Sequence, residues 1–245
     1  MSKYNILFIK TPRTSSTSVR SALSDYCDAK NMKYIIEGGD DFLQHSSKIE
    51  GSLGHIPYRP PYLAHLRHIM MENRKLLTIT SIRDPLAKMI SHYNVDPYLY
   101  LLPHIHRTEC PYQLLLTRNF DSYRFEKFYL ENYKKLDDDK SWKAMMNNSL
   151  SYYLGFDTIE SITAKNIMNR FDHIIIQEFF DETMNTLEVI LNHRLPRRDE
   201  QANRPGRSRI DPQGSGFSEE FMETFQRCNK LDYRLYDLCK EVYLT

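Results

Sequence analysis

Residues 10–18, Lys-Thr-Pro-Arg-Thr-Ser-Ser-Thr-Ser, set six hydroxyls and two cations in one glycine-free stretch. Hydroxyls and cations at such density suit a phosphate or sulfate oxyanion, which takes charge-assisted hydrogen bonds from both. The pattern is not a Walker loop, which requires G-x-x-x-x-G-K-[ST]. A second group lies further on, where Arg83 heads an Arg-Asp-Pro triplet and Ser91 follows eight residues later. On a helix that spacing is about two turns, so both side chains can face one anion. A third candidate is His55, after Ser52-Leu53-Gly54, because imidazole exchanges a proton near neutral pH. Plainer roles stay open for each: a Ser or Thr helix cap, an Arg83–Asp84 ion pair, and a histidine held only by hydrogen bonds.

Each group needs a scaffold, and the neighbouring patterns supply one. Ile6-Leu7-Phe8-Ile9 is a short apolar run without alternation, as expected of a strand buried on both faces. Val19, Ala22 and Leu23 then recur at helical spacing, so the hydroxyl-rich loop lies between a strand and a helix N-terminus, where unpaired N–H groups attract anions. Residues 76–82 (LLTITSI) repeat the arrangement, with Arg83 at the strand's end and Pro85 in the first helical turn. Residues 33–37 predict a strand, 38–54 a polar loop, 60–74 a helix opened by Pro60-Pro61, and 173–177 a late strand. Helical patterns occupy most of 83–169 and 181–195, residues 197–216 are irregular, and the tail from Ser218 is helical. In that tail Phe221, Phe225, Leu231, Leu235 and Leu238 are the expected core. Alternating strands and helices predict an α/β fold, a three-layer sandwich around a mostly parallel sheet, in one domain over 1–245.

The net charge of +1 gives no overall field toward nucleic acid or acidic membranes, so an anion site must be built locally. The cysteines, Cys27, Cys110, Cys228 and Cys239, form no CxxC pair and read as reduced thiols. His65-x-x-His68 and His104-x-His106 have no accompanying carboxylate or cysteine cluster, so no metal is expected. With a strand beginning almost at Met1 and no run of about 20 apolar residues, neither leader, anchor nor membrane span is expected, and the chain reads as cytoplasmic. The basic stretch 197–209 lacks interleaved aromatics, which favours a lid over a bound anion and argues against nucleic acid.

The first loop resembles the 5′-phosphosulfate loop, K-T-x-K-T-x-S-S-T, of sulfotransferases that use 3′-phosphoadenosine 5′-phosphosulfate (PAPS). The matching residues are Lys10, Thr11, Arg13, Thr14, Ser16 and Thr17, with Ser15 and Ser18 in the same turn. Arg13 stands where the family usually has lysine, which keeps the charge and adds a planar fork. The Arg83–Ser91 pair looks like the family's 3′-phosphate motif. Later stretches are similar, in order, to the galactose-3-O-sulfotransferase branch, which includes the galactosylceramide enzymes: 52–55 (SLGH), 148–157 (NSLSYYLGFD), 170–183 (RFDHIIIQEFFDET), 201–204 (QANR) and 231–236 (LDYRLY). The resemblance implies a P-loop-like sulfotransferase fold and transfer of a sulfuryl group from PAPS, without a metal, leaving 3′,5′-ADP (PAP). It implies catalytic roles for His55 as base and for Arg13 and Lys10 at the leaving oxygen. Cofactor contacts would come from Arg13, Thr14, Ser15, Ser16, Thr17, Ser18, Arg83 and Ser91, from Arg204 and Arg207 in the lid, and from Tyr153 against adenine. The implied acceptor is a hydroxyl of a galactose-like carbohydrate or glycolipid. A small hydroxylated metabolite, or a PAP/PAPS-binding protein without catalysis, are the alternatives.

Overall fold

The apolar run near the N-terminus is strand β1 (Tyr4–Ile9), whose last five residues are all buried. The computed structural model describes residues 4–70, 74–95, 122–133, 147–196 and 216–244. Strands β2 (Tyr34–Ile35), β3 (Gly51–Ser52), β4 (Lys75–Ile82) and β5 (His173–Ile176) join β1 in a five-stranded sheet of order β2-β3-β1-β4-β5. Every described pairing is parallel, with Leu7 opposite Ser52, Ile9 opposite Thr80 and Ile82 opposite Ile176. A parallel sheet delivers all its strand ends to one edge. After β1 the chain builds β3 and β2 on one side, then crosses to β4 and β5 on the other. The strand order therefore reverses at β1, the place where open α/β sheets bind ligands.

Successive β1 side chains enter two separate cores, as the period of two in a strand requires. Ile6 and Phe8 join Ile79 and Ile175 against Val19 and Leu23 of α1 (Ser16–Ala29) and Met184 and Leu187 of α8 (Phe180–Leu191). Leu7 and Ile9 join Ile82, Ile174 and Ile176 in the other core. There they meet α3 (Pro60–Ile69), α6 (Ser149–Tyr153), α7 (Ala164–Arg170) and α10 (Lys230–Tyr243). A third cluster, rich in Phe and Tyr, joins α4 (Pro85–Val95), α5 (Ser122–Asn132) and α9 (Glu219–Cys228). Of the core residues expected in the tail, Phe221, Phe225, Leu235 and Leu238 are buried and Leu231 is half-buried.

The expected loop at 38–54 contains a short helix, α2 (Gly39–Gln44), and the interior strand β3. Gly51-Ser52 has neither an apolar run nor β-branched residues. It is a strand because β1 and β2 supply hydrogen-bonding partners on both sides. Proline at the first position of α3 agrees with the sequence reading, although the helix ends at Ile69. The irregular stretch expected at 197–216 and the helical patterns at 96–121 lie almost wholly outside the described residues. Among the described residues no helix is long and apolar enough to cross a membrane.

Candidate functional site at the carboxyl edge of the sheet

The loop leaving β1 folds back on itself before α1 begins. Arg13 and Ser15 both take left-handed backbone (φ 61° and 53°), which costs a non-glycine residue about 1–2 kcal/mol each. A buried hydroxyl cluster holds the loop in that shape. The Thr11 hydroxyl donates to the Ser81 carbonyl at the end of β4, and Thr14 Oγ1 lies 2.7 Å from both Thr11 Oγ1 and Ser81 Oγ. Thr11, Thr14 and Ser81 have no exposed surface. The Thr14 side chain therefore faces the sheet, and its contribution to an anion site is the backbone. Ser15 is the N-cap of α1 yet makes no capping bond from its side chain, and the first turn carries no acidic residue. Ser16 is buried, Ser15 and Ser18 are half-buried, and Thr17 is exposed. The first turn of α1 and the Arg13 and Lys10 cations thus gather in one small region.

Lys10, one residue past β1, donates its backbone N–H to the Gly54 carbonyl (2.9 Å). This bond sets the end of β3 beside the end of β1 and brings His55 next to Lys10. A Cβ on Gly54 would stand 1.5 Å from the Glu37 carbonyl oxygen, so only glycine lets the chain pass here. His55 is exposed at this edge. Partial desolvation of its ring, then the positive charge of Lys10 and of Arg20 and Arg13, pull its pKa down to about 4, against a hydrogen bond to the Lys10 backbone. The imidazole is therefore neutral near pH 7, with a nitrogen able to accept a proton. Arg20, on α1, belongs to this group although no sequence motif marks it. Its spacing four residues after Ser16 was the available signal.

On the other side of β1, Arg83 follows β4 directly. The plainer role, an ion pair with Asp84, is not the contact that forms: Asp84 Oδ1 accepts from the Ala87 N–H (2.8 Å) and so caps α4. The nearest carboxylate is Glu178, with Oε1 3.9 Å from Arg83 Nε. Arg83 Nε is buried and makes no hydrogen bond. Glu178 follows β5, and bonds from the Asp84 N–H (3.2 Å) and from the Tyr236 hydroxyl of α10 (3.1 Å) fix it. Glu178 and Tyr236 lie within the stretches 170–183 and 231–236, where local spacing assigns neither a role. Lys88, one turn after Asp84, is also buried. It donates to the Ser149 hydroxyl, and burial pulls its pKa down against the opposing field of Asp232.

Strand order lines these groups up as His55 after β3, the 10–18 loop after β1, Arg83 after β4 and Glu178 after β5. Ser91 is half-buried on α4, two turns from Arg83. Tyr153 is packed against the core that contains α10, and its phenol is buried without a hydrogen bond. Its neighbour Tyr152 is exposed and carries the Arg59 guanidinium 4.0 Å from its ring centre. Arg204 and Arg207, with His104 and His106, lie outside the described residues. No group of three or more His, Cys, Asp or Glu that could hold a metal gathers among the described residues. No protein-family model matches the chain, and no curated protein matches it.

Proposed function

We propose that this chain is a PAPS-dependent O-sulfotransferase with the three-layer fold of that family. The observation that carries the reading is the adjacency of three strand ends, β3, β1 and β4, which sets His55, the cationic hydroxyl loop and Arg83 side by side. The residues fit a bisphosphorylated nucleotide. The uncapped start of α1, with Arg13 and Lys10, suits a 5′-phosphosulfate. Arg83 keeps a buried Nε–H without a hydrogen-bond partner, which suits the 3′-phosphate. Ser91 lies on the helix that Arg83 precedes.

The donor, when bound, supplies a sulfuryl group whose bond to the 5′-phosphate oxygen breaks as the acceptor oxygen bonds to sulfur. His55 accepts the acceptor's hydroxyl proton, for which its neutral state at pH 7 is the required one. Lys10 and Arg13 offset the charge that grows on the departing phosphate oxygen, and the N–H groups of the first α1 turn hold it in place. The favoured acceptor is a carbohydrate or glycolipid hydroxyl, on the strength of the motif likeness. A cytoplasmic location accords with the buried thiols Cys27 and Cys239, neither of which is in a disulfide.

Calorimetric titration with 3′,5′-ADP, 5′-AMP and ATP tests the reading. A clear preference for 3′,5′-ADP is expected, with Arg83→Ala weakening it. His55→Ala is expected to abolish sulfate transfer from labelled PAPS while leaving 3′,5′-ADP affinity nearly intact. Preference for ATP, or no nucleotide binding, would end the sulfotransferase reading.

A further inference from the structure

Glu178 stands where a site for an anion should not have a carboxylate. Its Oε1 is 3.9 Å from Arg83 Nε, and it is held there from two sides, by the Asp84 N–H and the Tyr236 hydroxyl. Three elements thus cooperate, the turns after β4 and β5 and the C-terminal helix α10, to fix one oxygen pair beside one guanidinium. The separation is too long for a hydrogen bond but well within Coulombic reach, so Arg83 is partly neutralised without being used up. We infer that Glu178 is the resident counter-ion of Arg83, whose charge an incoming phosphate must outweigh, and that Tyr236 holds it back from closing on the guanidinium. This inference rests on the reading of Arg83 as the 3′-phosphate contact.

The arrangement has a use. A bare arginine at a sheet edge attracts any anion, whereas one with a fixed carboxylate at its side retains only ligands whose charge outweighs that carboxylate. Glu178 would therefore be a specificity-determining positioning residue, favouring a dianionic phosphate over chloride or a single carboxylate. The tail stretch 231–236 ends in Tyr236, and its hydroxyl is what reaches Glu178. The groups facing Glu178 are Arg83 and Asp84 from the β4–α4 turn and Tyr236 from α10, with Lys240 acting on Asp84. Burial pushes the Glu178 carboxyl above its usual range, and its own backbone N–H, the Asp84 N–H, the Tyr236 hydroxyl and Arg83 pull it back toward the ionised form.

The test compares 3′,5′-ADP with 5′-AMP, which lacks the 3′-phosphate, on wild type, Glu178→Gln, Tyr236→Phe and the double variant. Glu178→Gln keeps the shape and removes the charge, so 3′,5′-ADP should bind roughly five-fold tighter with 5′-AMP unchanged. Tyr236→Phe frees the carboxylate toward Arg83 and should weaken 3′,5′-ADP several-fold, again without moving 5′-AMP. Because Tyr236 acts through the Glu178 charge, the double variant should match Glu178→Gln alone. A merely structural role would weaken both nucleotides in both variants, and that result, or no change, overturns the inference. Should Glu178→Gln not fold, Tyr236→Phe decides alone, a selective loss supporting and an equal or absent loss refuting. If wild type does not prefer 3′,5′-ADP over 5′-AMP, the sulfotransferase reading itself has failed.

Discussion

His55 shows how partial desolvation, with three nearby cations, keeps an imidazole neutral well below physiological pH. Desolvation of the ring and the fields of Lys10, Arg20 and Arg13 all disfavour the imidazolium, and together they bring its pKa to about 4. A base of that strength is weak in the free protein, but a bound polyanion would cancel the cations and raise it. NMR titration of the ring should give a midpoint near pH 4 without ligand and a higher one with saturating 3′,5′-ADP. A midpoint at the ordinary histidine value in the free protein would remove the cationic cage from the account. The folded-state pKa lies below the unfolded one, so the contribution to stability is complete above the unfolded pKa, about 6.5. It is lost as pH falls from there toward 4, where the unfolded chain binds a proton that the folded one refuses. His173, buried with Nε2 2.7 Å from the Thr183 carbonyl, is shifted in the same direction. Only the difference between wild type and His55→Asn thus isolates the His55 share.

The element that sets the site is the turn between β1 and α1, and its shape comes from beneath. Two left-handed residues in a glycine-free turn persist because Thr11 and Thr14 are tied to Ser81 on the neighbouring strand. Thr14→Val keeps the volume but leaves the Ser81 and Thr11 oxygens without that partner in a dry place. Chemical denaturation should show a loss of about 1–3 kcal/mol, the cost of an unsatisfied buried polar group. Thr17→Val, at an exposed position in the same stretch, should stay within about 0.5 kcal/mol. Equal effects at the two positions would mean that the hydroxyl cluster is not what holds the loop. In the sequence Thr14 and Thr17 look alike; the difference is that one points at β4.

At the scale of the whole molecule, the C-terminal helix α10 braces the site from behind at two points on one face, Tyr236 at Glu178 and, one turn earlier, Asp232. The Asp232 carboxylate accepts from the backbone N–H groups of Leu150 (3.1 Å) and Ser151 (2.7 Å), and its charge opposes the desolvation of buried Lys88. Asp232→Ala should cost about 3–5 kcal/mol in chemical denaturation, because it strands two amides and an uncompensated buried cation. Adding Lys88→Met should recover part of that loss, and no recovery would mean that Lys88 is not charged when buried. Apolar runs and helix signals were enough to read β1, β4, β5 and the tail helices, because in these segments local composition and final burial agree. The positions of the 10–18 loop, His55 and Arg83 at strand ends were legible for the same reason, since each stands where a recognisable strand or Leu-Gly stops. What the sequence could not display was β3, a Gly-Ser pair that is a strand only because β1 and β2 flank it. Nor could it display Arg20, Lys88, Glu178 and Tyr236, whose roles depend on which strand end or helix face they meet. The sequence by itself determined the α/β pattern and set two polar, cationic turns after strands, because those follow from side-chain type and short-range spacing. Strand order was decided only in the tertiary structure, where pairing between segments tens of residues apart set β3, β1, β4 and β5 in line and brought a carboxylate to Arg83.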